Sequence, residues 1–86
     1  MQVQGAIVKE QGVKFAIVVV KRHVVQNSLQ ANKAIQSFEA LFLGMPIVLM
    51  AQDNRGTPTY YGRRDIVRFL SSVPISAIPW KKYTFN

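Results

Sequence analysis

Residues 60 to 68 read YYGRRDIVR, and they gather the side chains best suited to chemistry in this chain. Two aromatic rings and a glycine precede Arg63, Arg64 and Arg68, and an apolar pattern of helical period begins at Ile66. A helix that starts here presents free backbone N–H groups and a partial positive charge. Arginines at that positive end are unfavourable unless Asp65 or a bound anion compensates them, so the place suits a phosphate. Arg64 and Arg68 are four residues apart and project from one helix face. Tyr61, or Tyr60 beside it, can stack on a base while an arginine adds a planar contact. The same stretch also reads as a strand turning into a helix, with one tyrosine packed and Asp65 paired locally.

Two further basic groups belong to the same question. Lys21 and Arg22 lie in KRH (21 to 23), and Lys81 and Lys82 lie between aromatic residues in WKKY (80 to 83). If the three groups share a surface, they form an electrostatic footprint for a phosphate backbone; on separate faces they only solvate the protein. Eleven Lys and Arg against four Asp and Glu leave a net charge of +7, which favours acidic partners such as nucleic acid or an acidic protein.

Other chemistries find less material. His23 is the single histidine, and no Asp is placed by sequence to orient it. The serines occupy no Gly-x-Ser-x-Gly setting. Glu10, Glu39, Asp53 and Asp65 are far apart, and each has a structural role as a turn residue, a helix-surface residue or a first-turn helix residue. There is neither a Walker A pattern nor Gly-x-Gly-x-x-Gly. The absence of cysteine excludes thiol redox chemistry, disulfides and zinc sites with Cys ligands. No catalytic residue, metal site or cofactor is expected, and a non-enzymatic protein follows. The N-terminal stretch lacks the features of a signal peptide, and the run FAIVVV (15 to 20) is too short to span a bilayer, so a cytoplasmic location is expected.

The elements that must position these groups follow from the apolar periods. Residues 3 to 9 and 13 to 22 read as two strands around a turn at 10 to 12, the second without alternation and so covered on both faces. Asn27 or Ser28 caps a helix over about 28 to 43, with Ala31, Ile35, Phe38, Leu41 and Phe42 near one face and Gly44 at its end. Residues 46 to 52 form a buried strand, DNRG (53 to 56) a turn, and 57 to 61 a return strand that Pro58 assigns to an edge. A second helix runs from about 62 to 73, burying Ile66, Val67, Phe69, Leu70 and Val73, and a last strand is expected within 80 to 85. The result is a single α+β domain over 1–86, with a mixed sheet of four or five strands, two helices and the order β-β-α-β-β-α(-β). The strand–helix–strand run from 13 to 52 implies a parallel pair. If both helices cover one face, a homodimer would cover the other.

Residues 60 to 70 are similar to the second half-motif of the GIY-YIG nucleases, an aromatic-rich strand, a glycine and an arginine-bearing helix. The chain departs from that family: no Gly-Ile-Tyr-like stretch precedes the motif, and no Glu follows Glu39, so the metal-dependent activity is not carried over. Residues 44 to 70 resemble the closing half of a thioredoxin-like fold, with a proline before a strand, a hairpin, a glycine and a helix; without cysteine the redox function is absent.

The expected function is therefore a small basic binding domain that contacts nucleic acid or another polyanion through Arg63, Arg64, Arg68, Lys21, Arg22, Lys81, Lys82 and Tyr61. The alternative is an assembly module, homodimeric or recruiting a partner by strand addition at 57 to 61.

Overall fold

An apolar run without polar alternation needs cover on two sides, and Phe15, Ala16, Ile17 and Val18 have it: all four are buried. The computed structural model describes residues 1–10 and 12–86. Its strands are β1 (Gln2–Glu10), β2 (Val13–Val19), β3 (Ile47–Gln52), β4 (Pro58–Tyr61) and β5 (Lys81–Thr84). Its helices are α1 (Arg22–Val25), α2 (Ser28–Leu41) and α3 (Arg64–Leu70), with a short 3₁₀ turn at Ile75–Ala77. The turn expected at 10 to 12 includes Gln11, which lies outside the described residues; Gly12 has the left-handed φ of 80°.

The five strands lie in the order β4-β3-β2-β1-β5. The β2–β3 pair is parallel and the other three pairs are antiparallel, so the sheet is mixed, as the element order implied. Pro58 lies on an edge strand, where its missing N–H breaks no ladder.

Strand alternation splits the core in two. Phe15, Ile17, Val48 and Met50 point to one side, where Ile66 and Leu70 of α3 and Ile78 meet them. Ala16, Val18, Ile47 and Leu49 point to the other, where Ala31 and Phe42 at the two ends of α2 meet them. The helices thus cover opposite faces. The premise on which a homodimer was expected, two helices on one face, does not hold, because each apolar face already has its own cover.

Element ends differ from the sequence reading for local reasons. The second strand stops at Val19 instead of reaching Arg22: the Val20 N–H still bonds to Met50, but Val24 N–H then bonds back to Lys21 and opens α1. The last helix starts at Arg64 and not at Gly62, because Gly62 still runs beside β3; a Cβ there would lie 3.0 Å from both the Ile47 carbonyl oxygen and Val48 Cγ2. It stops at Leu70 and not at Val73, because the Ser71 and Ser72 hydroxyls donate to the Arg68 and Phe69 carbonyls, ending the ladder with side-chain bonds. Val67, Phe69 and Val73 are only partly buried against that core.

The other helix ends at Leu41 and not at residue 43. The Gly44 N–H bonds to the Glu39 carbonyl in a Schellman-type closure, and the residue just past the cap is Leu43, with φ 57°. Two successive residues are thus left-handed at this end: Leu43, which is 91% exposed, and Gly44, with φ 78°.

Candidate functional site

Tyr61 is the last residue of β4, pairs with Leu49 across the sheet and faces the α2 side. Its hydroxyl donates to Asn32 Oδ1 at 3.3 Å. Tyr60, one residue earlier, faces the α3 side, as alternation requires. Its hydroxyl is buried without a hydrogen-bond partner, and burial raises its pKa.

Arg63 is the residue before α3 and is answered locally. Its Nε donates to Asp65 Oδ1 at 2.8 Å and its Nη2 donates to Asp65 Oδ2 at 2.7 Å, a bidentate pair. Asp65 Oδ1 also accepts from the Ile66 N–H at 2.9 Å. The hydrogen bond from Arg63, first, holds the Asp65 carboxyl at about 2, below the usual carboxylate range, and the same pair raises the Arg63 pKa. The start of α3 is thus compensated by its own aspartate. Arg64 and Arg68 have no such partner: among the described residues, Arg63–Asp65 is the single ion pair.

The three basic groups named from sequence are not brought together. Lys21 and Arg22 follow the C-terminal end of β2, and Arg63 and Arg64 follow the C-terminal end of β4, which runs the opposite way. They therefore emerge at opposite ends of the sheet. Lys81 and Lys82 lie on β5, four inter-strand spacings from β4, or about 19 Å across the sheet. Alternation further divides those two. Lys81 shares the α2 side with Tyr83, its Nζ 5.6 Å from the ring centroid, and Lys82 points to the α3 side. His23 is exposed on α1.

Two hollows flank the 60-to-68 segment. One, about 300 Å³, has Val13, Phe15, Ile66 and Phe69 as apolar lining, with Glu10, Asp65 and Arg68 as its charged groups. The other, about 490 Å³, lies between α2 and β4. Asn32, Ile35, Glu39, Pro46, Tyr61 and Arg63 line it, so Tyr61 and Arg63 share one concavity. Asn32, Ile35 and Glu39 stand at i, i+3 and i+7 on α2, which places them along one stripe. Sequence reasoning had put Glu39 on the solvent side of the helix and passed over Asn32. Their spacing was visible, but it acquires meaning only beside the edge strand β4. The ladder also sets Lys9 opposite Lys14, a pair of exposed like charges that register alone reveals.

Among the described residues no group of three His, Cys, Asp or Glu side chains could hold a metal ion, and no helix is long and apolar enough to cross a membrane. Comparisons with protein-family models, with curated proteins and with solved structures find no match to this chain.

Proposed function

We propose that this protein is a small basic domain that binds nucleic acid or another polyanion through phosphate contacts. The observation that carries this reading is the scarcity of internal compensation. Of eleven Lys and Arg, only Arg63 lies within ion-pair distance of a carboxylate among the described residues. The fold spends almost none of its positive charge on itself, and such charge attracts phosphate-rich partners. Arg63, which shares a hollow with Tyr61, is the leading contact; Arg64 and Arg68 add charge from α3, which covers the sheet face opposite the one Tyr61 points to. Lys21, Arg22, Lys81 and Lys82 leave the sheet at another end and another edge and add only to the net charge, not to that contact group.

Binding of labelled oligonucleotides at low salt tests this. Affinity should fall steeply as salt rises, because each phosphate contact releases counterions. Joint replacement Arg64→Ala and Arg68→Ala should weaken binding across sequences and flatten the salt slope. Absence of binding at low ionic strength would overturn the reading.

A second reading, strand addition in a self-assembly or with a protein partner, is favoured by one observation: β4 is a free edge. The Asp53 N–H bonds to the Thr57 carbonyl, and antiparallel alternation from that bond turns the Tyr60 backbone outward. Pro58, also turned outward, offers a carbonyl but no N–H. Association that persists at high salt in sedimentation, and disappears on Tyr60→Pro, would support this mode over the electrostatic one.

A further inference from the structure

Resting on the nucleic-acid reading above, we infer that the hollow between α2 and β4 receives one unpaired guanine of a single strand. Its lining carries one carboxylate, one guanidinium and one amide around an apolar and aromatic wall: Glu39, Arg63 and Asn32 with Ile35, Pro46 and Tyr61. An occupant must therefore offer a flat apolar face, an edge of hydrogen-bond donors and an anion. A nucleotide unit has all three. The volume of about 490 Å³ lies within the range of ligand-sized pockets.

The donor edge selects the base. A carboxylate accepts through two oxygens and donates nothing. Guanine alone among the common bases presents two adjacent donors, N1–H and the N2 amino group, that match it side by side. Adenine and cytosine set an acceptor beside their amino group, and thymine flanks N3–H with two carbonyls. Asn32 lies seven residues before Glu39, about 10 Å along the helix, and uses its Oδ1 for the Tyr61 hydroxyl.

The strandedness follows from the same edge. N1–H and N2 of guanine are occupied by cytosine in a duplex, so only an unpaired guanine can offer them. The anion has a partner as well. Arg63 uses Nε and one Nη2 hydrogen bond on Asp65, and its guanidinium has five donors, so further N–H groups remain for a phosphate.

The test compares a labelled 12-mer of thymidines with the same strand carrying one central guanine, by fluorescence anisotropy at low salt. The guanine strand should bind about tenfold more tightly, the size of one good bidentate base contact. Annealing it to its complement should remove that advantage. Glu39→Gln, a near-isosteric change at a partly exposed position, should abolish the tenfold difference while leaving the all-thymidine strand bound at least as well. Guanosine monophosphate should compete more effectively than adenosine monophosphate. Equal binding of the two strands would overturn the guanine site and leave the polyanion reading standing. If guanosine monophosphate alone bound as tightly as the strand, the single-strand assignment would fall. No binding of either strand would overturn both readings.

Discussion

The two principal helices begin in different ways. Helix α2 is opened by a neutral cap: Asn27 Oδ1 accepts from the Gln30 N–H at 3.1 Å, and the first turn carries no acidic residue. Helix α3 has no side-chain cap at the residue before it; a charged clamp, Arg63 on Asp65, stands there instead. The neutral cap satisfies an orphan donor at any pH or salt. The clamp depends on both, and it stands where Arg63 enters the hollow beside Tyr61. The contrast also runs through their anchoring. Fourteen-residue α2 spreads its contact from Ala31 to Phe42, whereas seven-residue α3 depends on Ile66 and Leu70. The long helix is thus scaffold, and the short one is a charged joint held by two apolar pegs.

The strongest way to break this contrast is to remove a peg. Leu70 is 1% exposed, so Leu70→Ala should cost about 3 kcal/mol in denaturant unfolding, from lost burial plus a cavity. A cost near that of a surface change would show that α3 is held by something other than its pegs.

Next in size is a gain at the far end of α2. Leu43 occupies a left-handed position with φ 57° and is almost fully exposed, so Leu43→Gly relieves strain and loses little packing. Stability should rise by about 1 kcal/mol. A fall in melting temperature would mean that the leucine makes contacts that outweigh its strain.

Asn27→Ala should cost about 1 kcal/mol, the ordinary value of a cap. The sharper observation is that this cost stays the same at low and high salt, as a neutral cap requires.

The smallest effect is expected at the clamp, because both partners are more than half exposed (51% and 62%) and exposed pairs contribute little. Its signature is pH dependence. The Asp65 carboxyl is held at about 2 in the folded protein, below its unfolded value near 3.9. The stabilisation is therefore complete above about pH 4 and is lost as pH falls towards 2. Asp65→Asn should remove that part of the acid slope, and high salt should mimic the substitution. A carboxyl NMR titration of Asp65 with an unshifted midpoint would contradict the clamp.

Much of the scaffold was legible in the chain, and specific residues show why. The β-branched run of β2, the Asn27 cap, the DNRG turn and Pro58 on an edge each depend on local chemistry, and local chemistry is written in sequence order. The site was legible in part. Arg63 and Asp65 are two residues apart, so their pairing was one of the stated alternatives. Tyr61 beside Asn32 and Glu39 was not foreseen, because it joins residues separated by a strand and a turn. Nor was the separation of Lys21 and Arg22 from Arg63 and Arg64, which depends on strand direction.

By itself, the sequence determined the strands and the two principal helices but not the short α1, together with the parallel pair at the centre, the excess of positive charge and the absence of thiol chemistry. These rest on residue type and on spacings of two to four residues. The tertiary structure alone decided that the helices cover opposite faces, that the basic groups leave the sheet at different ends and edges, and that Asn32, Glu39, Tyr61 and Arg63 line one hollow. The physical reason is that faces and neighbours are set by which strands pair and in what direction. That choice is made by burying both sides of β2 and β3 at once, a condition that no local stretch carries.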